Sequence, residues 1–219
     1  MKAVIFDMDG VLVDVSSSYR RTIIETVEFF INQKITDNDI QKLKDKGGYN
    51  NDWDLTKALI GKGIPKSDIQ SKFQEIYLGS KFDGLIRNDR WLMEPKLLKQ
   101  LRDKFRLGIV TGRPRPEAEY ALRCSKTTGF FDVLITMDDY PEQKPDPVLL
   151  ERALKKLNCT EGYYIGDTID DMQMAVNAGM IGIGITSAQY LKTLFITNGA
   201  GFVIDNVNQI TEVLKCENP

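Results

Sequence analysis

From about Glu94 onward the chain alternates between short apolar runs and stretches with helical periodicity. The apolar runs are Leu107 to Val110, Val133 to Ile135, Tyr163 to Ile165, Ile181 to Ile185 and Phe202 to Ile204. Most are rich in Ile and Val and show little polar alternation, the pattern of parallel strands buried on both faces. Ala3 to Phe6 is a further strand of this kind, far away in sequence. The helices between the runs have readable ends. Pro116 and Pro147 sit where a first helical turn tolerates a missing N–H. Gly179 follows a helical pattern at the position that favours left-handed backbone. Alternation of strands with helices predicts an α/β fold, a Rossmann-like doubly wound parallel sheet.

Residues 15–89 break this rhythm and read as all-helical. Tyr19, Ile23, Val27, Phe30 and Ile31 recur at helical spacing and form an amphipathic stripe facing a helical core. Thr36 with Asp39 reads as the start of a second helix. Gly47-Gly48 ends it, Trp53 to Ile60 begins a third, and Pro65 with Ile69, Phe73, Ile76 and Tyr77 makes a fourth. The expected organisation is a core of 1–14 and 90–219 with a small helical domain, 15–89, inserted after the first strand.

Composition narrows the function. The chain has 219 residues, 42% hydrophobic and 27% charged, ordinary for a globular protein with a real core. Net charge is -2, from 29 basic and 31 acidic residues. That offers no electrostatic footprint for nucleic acid or an anionic membrane. The N-terminal apolar run is broken by acids within a few residues, unlike a secretory signal. The longest uncharged stretch, around Asn177 to Leu191, is Gly-rich and too short to span a bilayer. Cys124, Cys159 and Cys216 are scattered and form no CxxC pair, consistent with free thiols in a cytoplasmic protein. There is no histidine. Ser-His-Asp and Cys-His nucleophiles are excluded, as are His-ligated zinc and iron sites. Acid–base chemistry must come from Asp, Glu, Lys, Tyr or Cys.

The remaining polar signals fall at strand ends. Asp7 and Asp9 follow the first strand, Thr111-Gly112 follows LGIV, and Lys144 in QKPDP lies beyond VLIT. Asp167, with Asp170 and Asp171 in GDTIDDM, follows YYI. In open α/β sheets the carboxyl edge is where ligands bind. Carboxylates without His or Cys suit Mg²⁺, which keeps waters and substrate phosphate among its ligands. A Thr hydroxyl, backbone N–H groups and a lysine suit a phosphate. Metal and lysine also relieve repulsion between clustered acids. The combination predicts Mg²⁺-assisted phosphoryl transfer.

DMDGV, TGR, KPDP and GDTIDD resemble, in order, the four motifs of the haloacid dehalogenase superfamily. The resemblance covers the whole chain and implies a Rossmann-like core with a mobile helical cap. It implies Asp7 as the nucleophile that forms an aspartyl-phosphate. It implies Asp9 as the general acid–base, protonating the leaving oxygen and then activating water. Thr111 and the Gly112 N–H would bind the phosphoryl group, and Lys144 would neutralise charge on it and on the nucleophile. Mg²⁺ would be held by the Asp7 side chain, the Asp9 carbonyl and Asp167. Asp171, one helical turn on, would reach it through water, the motif spacing favouring it over Asp170. The uncatalysed reaction is so slow that accelerations of up to ~10²¹-fold are known, and positioning with charge neutralisation carries most of that.

Within the superfamily, dehalogenases and phosphonatase-like members lack an acid at the position of Asp9. The best-known sugar phosphomutases carry a cap histidine where this chain has Tyr19-Arg20. A phosphomonoesterase acting on a small phosphorylated metabolite is the expected function. A phosphomutase or a non-catalytic phosphometabolite-binding protein are the alternatives, and the choice between monomer and dimer stays open. Substrate reading falls to the cap stretch KDKGGYNNDWD. There Gly48, Tyr49, Asn50 and Asn51 are the candidates, against an ordinary interhelical turn with a buried Trp53; Asn50 and Asn51 lean to function. Arg113 and Arg20 are candidates for a substrate anion, although solvated surface arginines are the commoner outcome. Gly182-Ile-Gly184-Ile-Thr-Ser187 half-resembles a dinucleotide loop, but its glycines lie in an expected strand. KLLKQLRDKFR reads as a solvated helix face.

Overall fold

The computed structural model describes residues 1–49, 51–61 and 63–216. Along the chain come β1 (Ala3–Phe6) and β2 (Val13–Asp14). Four helices follow: α1 (Tyr19–Ile31), α2 (Asp37–Lys44), α3 (Asp52–Ile60) and α4 (Lys66–Leu78). Next are β3 (Arg90–Trp91), α5 (Pro95–Arg102), β4 (Arg106–Val110), α6 (Arg115–Cys124) and β5 (Val133–Ile135). The remainder is α7 (Val148–Leu157), β6 (Gly162–Gly166), α8 (Ile169–Asn177), β7 (Ile181–Ile185), α9 (Gln189–Thr197), β8 (Ala200–Ile204) and α10 (Ile210–Cys216). Two compact units result, Met1–Val13 with the chain from Trp91 onward, and Asp14–Arg90.

The first unit is a six-stranded sheet in the order β5-β4-β1-β6-β7-β8. Every pairing in it is parallel. β1 is a central strand with all four residues fully buried, which is why it carries no polar residue at all. Progress through the sheet runs from β1 outward to β4 and β5, then returns across β1 to β6, β7 and β8. The strand order therefore reverses at β1, the switch point where open α/β sheets build sites. Helices α7 and α8 supply Leu149, Leu150, Leu154 and Met174 to a core shared with Ile5, Val110 and Tyr164.

Several element ends differ from the sequence reading. β8 begins at Ala200, which carries no β-branched signal yet pairs with Gly182 of β7; the register shifts past Gly201 before Phe202 meets Ile183. Pro147 caps α7 from outside its first turn. Gly179, one residue past the Ala178 cap of α8, has φ +65°. Gly182 and Gly184 lie within β7, and a Cβ on Gly184 would stand 2.4 Å from the Phe195 ring. That glycine makes room for α9 packing, which removes any dinucleotide reading. Cys124 and Cys159 are free thiols.

The second unit is helical. Thr36 and Asp39 close a capping box at the start of α2, and Asp39's carboxylate accepts from both the Thr36 N–H and hydroxyl. Ile23, Val27, Phe73 and Tyr77 are fully enclosed. Phe30 and Ile31, at the tail of the expected stripe, are only half-buried because α1 ends there. Tyr19 stacks on Tyr77 at 4.2 Å between ring centroids and lies 5.6 Å from Phe73. Truncating a ring at the middle of such a cluster removes transfer energy and leaves a cavity. Phe73→Ala is expected to destabilise this unit by about 3–5 kcal/mol, measured as a shift of the urea midpoint with an unchanged slope.

Candidate active site

The carboxyl edge of the sheet collects side chains from four segments. β1 ends at Phe6, and the next N–H, of Asp7, donates to the Ile165 carbonyl at 2.8 Å, so Asp7 is still tied to β6 as it leaves the sheet. Its carboxylate is nearly enclosed, with 8% of the side chain exposed. The loop beyond is wound tightly, the N–H groups of Val11, Leu12 and Val13 all converging on the Met8 carbonyl. Gly10 has φ +73°, and a Cβ there would lie 2.0 Å from Asp167 Oδ2. Only glycine allows the loop to turn this way and pass so close to Asp167.

Lys144 sits between two of the acids. Its Nζ is 2.9 Å from Asp7 Oδ2 and 2.7 Å from Asp171 Oδ1, with 6% of the side chain exposed. Asp171 is completely buried. Its Oδ2 accepts from the Thr168 hydroxyl at 2.7 Å and from the N–H groups of Thr168 and Asp167 at 3.1 and 3.2 Å. The Thr168 hydroxyl in turn accepts from the Asp171 N–H at 3.2 Å, closing a capping box at the start of α8. The Tyr164 hydroxyl lies 3.0 Å from Asp171 Oδ1 and 3.2 Å from the Val110 carbonyl. Gly166 keeps the approach open, since a Cβ on it would fall 2.2 Å from Asp171 Cβ.

One carboxylate oxygen from each of Asp7, Asp167 and Asp171 lies within 4.8 Å of the others. Such a group of hard oxygens, without nitrogen or sulfur ligands, suits a hexacoordinate Mg²⁺ that keeps part of its water shell. Burial raises the Asp7 pKa from its ordinary 3.8 to about 6; the Lys144 ammonium opposes the rise, and the charges of Asp171 and Asp9 add to it. Burial works against the Lys144 charge too, but Asp171 and Asp7 overcome it and hold the ammonium well above its usual range. Tyr164 is pushed well up, first by burial and then by Asp171.

Thr111 follows β4 and is buried. Its N–H donates to the Ile135 carbonyl and its hydroxyl accepts from the Arg113 N–H at 3.2 Å. Gly112, between them, is exposed. Arg113 does not lie at a solvated surface. Its side chain is fully buried, with Nε 2.6 Å and Nη2 2.5 Å from Asp9 Oδ1. Asp9 itself is 26% exposed at the side chain.

The remaining candidates lie in the helical unit. Gly48 is exposed in a turn with φ +78°, and Tyr49 is half-buried. Asn51 caps α3, its side-chain oxygen accepting from the N–H groups of Trp53 and Asp54, a structural task the sequence reading did not assign to it. Trp53 is half-buried, not enclosed. Asn50 lies outside the described residues. Arg20 donates to the Gln41 side chain at 2.6 Å. Three residues of the site carried no role in the sequence reading: Tyr164, Thr168 and Gly10. The serine/threonine-x-x-acid spacing of Thr168 and Asp171 was the available signal for one of them.

A parallel sheet with paired aspartates at its switch point, a lysine from a later loop and an acidic turn after β6 defines a class. Residues 1–179 match the model of the haloacid dehalogenase-like hydrolase family, and the chain belongs to that family. Over 206 residues it is 32% identical to an imidazoleglycerol-phosphate dehydratase of Phytophthora nicotianae, covering 89% of this chain but 45% of that protein. The chain thus spans less than half the length of that relative. It is 26% identical over 186 residues to the pyrophosphatase PpaX of Bacillus velezensis, covering 84% of this chain and 82% of the relative. Among solved structures it superposes on the phosphatase Tt82 of Thermococcus thioreducens with a TM-score of 0.67 and 26% identity, over 99% of this chain and 100% of that one.

A carboxyl group whose pKa is higher in the folded than in the unfolded chain favours folding while it is protonated. For Asp7 that contribution is complete below pH 4 and is lost as pH rises through about 6. In EDTA-treated protein, the wild type should lose about 3 kcal/mol of stability between pH 4 and pH 7 that Asp7→Asn does not lose. Urea midpoints of the two proteins across that range read the difference.

Proposed function

We propose that the protein is a Mg²⁺-dependent phosphomonoesterase that hydrolyses a small phosphorylated metabolite through an aspartyl-phosphate on Asp7. The observation that carries this reading is the Lys144 ammonium between Asp7 and Asp171, beside the oxygen cluster that includes Asp167. A lone buried carboxylate would be a poor nucleophile for an anionic ester. One flanked by an ammonium at 2.9 Å meets the phosphoryl group in a field already compensated for its charge.

The carboxylates of Asp7 and Asp167 would hold the metal directly together with the Asp9 carbonyl. Asp171, whose oxygens already accept five hydrogen bonds or ion pairs, would act through water. When bound, Mg²⁺ supplies positive charge that offsets the phosphoryl oxygens. Thr111 and the Gly112 N–H bind the phosphoryl group, with Lys144 against it. Asp7 attacks phosphorus, the ester P–O bond breaks, and its electron pair stays on the leaving oxygen, which takes the proton of Asp9. Water then attacks the aspartyl-phosphate, giving a proton back to Asp9 and releasing the Asp7 carboxylate with inorganic phosphate.

The relatives' names support phosphate compounds as substrates: one is called a pyrophosphatase, one a phosphatase, and one is named for imidazoleglycerol phosphate. The division into a core of 1–14 and 90–219 and a cap of 15–89 belongs to this proposal, with Gly48, Tyr49, Asn50 and Asn51 as the cap residues for substrate choice. No helix among the described residues is long and apolar enough to cross a membrane. The free thiols of Cys124 and Cys159 support a reducing, cytoplasmic setting.

The test is a phosphate-release panel with Mg²⁺. It should contain p-nitrophenyl phosphate, sugar phosphates, pyrophosphate, nucleotides and imidazole-bearing phosphate monoesters. Wild-type protein should release inorganic phosphate, EDTA should stop it, and Asp7→Asn should lower it by at least about 10³-fold while remaining folded. An active Asp7→Asn protein would refute the nucleophile. A hexose phosphate isomerised without release of phosphate would replace the phosphatase with a phosphomutase.

A further inference from the structure

Arg113 is the largest fully buried side chain among the described residues, and it is a charged one. A guanidinium enclosed in a core needs a partner that repays its desolvation. That partner is Asp9, 104 residues away in sequence, contacted by Nε and Nη2 together. The pair is asymmetric: the Arg113 side chain has no exposed surface, whereas 26% of Asp9 faces solvent. The cation is therefore on the protein side and the carboxylate on the open side, the reverse of an arginine reaching for a substrate anion.

The main chain of Arg113 is fixed as well. Its N–H donates to Thr111 Oγ1 and its carbonyl accepts from the Met137 N–H. The Nε–H donates to Asp9 Oδ1 at 2.6 Å, and Nη2 lies 2.5 Å from the same oxygen as an ion pair. The carboxyl group is thereby held from its buried side. A lysine, with a compact charge on a flexible stem, would not hold it in the same way.

We propose that Arg113 is the positioning residue for Asp9: it orients the carboxyl group so that it delivers the proton to the leaving oxygen, and it does not bind the substrate phosphate. The inference rests on the phosphomonoesterase reading given above. In the step it serves, the ester P–O bond breaks, its electrons remain on the leaving oxygen, and the proton of the Asp9 carboxyl moves to that oxygen. An alkoxide needs this proton; p-nitrophenolate leaves without it.

The discriminating experiment compares kcat/KM, which reports through the first phosphoryl transfer, for p-nitrophenyl phosphate and for the alkyl phosphate turned over fastest in the panel. Arg113→Gln should lower the alkyl value by about 10²-fold and the aryl value by less than about tenfold, with KM within about twofold. Arg113→Lys should fall between it and wild type. In an Asp9→Asn background, adding Arg113→Gln should produce no further change in the alkyl-to-aryl ratio. Equal losses on the two esters, or a raised KM at unchanged kcat, would overturn the assignment, the latter showing an anion-binding arginine. Circular dichroism melts verify folding; if Arg113→Gln does not fold, Arg113→Lys alone carries the comparison with the same criteria. Failure of the parent reading looks different: the wild type would release phosphate from neither ester, or Asp7→Asn would retain activity.

Discussion

The site depends on one buried cation between two buried anions. Lys144 loses its water shell, and so do Asp7 and Asp171; each alone would be expensive in the interior. Together they form a chain of contacts at 2.9 and 2.7 Å in which each charge has an opposite neighbour. The compensation is incomplete by design of the contacts: two carboxylates share one ammonium, and Asp7 keeps a raised pKa. An acidic cluster left with surplus negative charge, lying next to Asp167, is a place where a divalent cation is favourable.

Asp171 is the fixed end of that arrangement. It is tied to the start of α8 by the Thr168 capping box, to the turn before it by two N–H groups, and to β6 by the Tyr164 hydroxyl. Asp7 is the adjustable end, held to β6 by its N–H but carrying no comparable set of bonds at its carboxylate. The anchor keeps Lys144 in place, while the Asp7 carboxylate is the less constrained of the two. Glycines at 10 and 166 make the convergence possible, because the backbone passes where any Cβ would overlap Asp167 or Asp171.

The same crowding explains which parts of the molecule could be read in advance. β1 and β4 were legible because burial on both faces demands uninterrupted apolar residues. α2 was legible because Thr36 and Asp39 are a local pair, three residues apart. The beginning of β8 was not, since Ala200 joins the sheet through pairing with Gly182 of β7 and not through its own propensity. Tyr164 read as one more apolar strand residue; its hydroxyl matters only because α8 brings Asp171 above it. The role of Asn51 as a helix cap was not legible, because it depends on where α3 starts.

By itself, the sequence determined the parallel sheet, the helical insert, the absence of histidine chemistry and the placing of acids at strand ends, because periodicity and composition are local quantities. The tertiary structure alone decided which charges meet. Nothing within a few residues of Arg113 announces that it is enclosed, and Asp9 gives no hint that its partner is 104 positions away. The energy of a buried charge depends on what surrounds it in space. That is why the acids of DMDG could be placed at a strand end from the sequence, while the enclosure of Arg113 against the second of them emerged only from the fold.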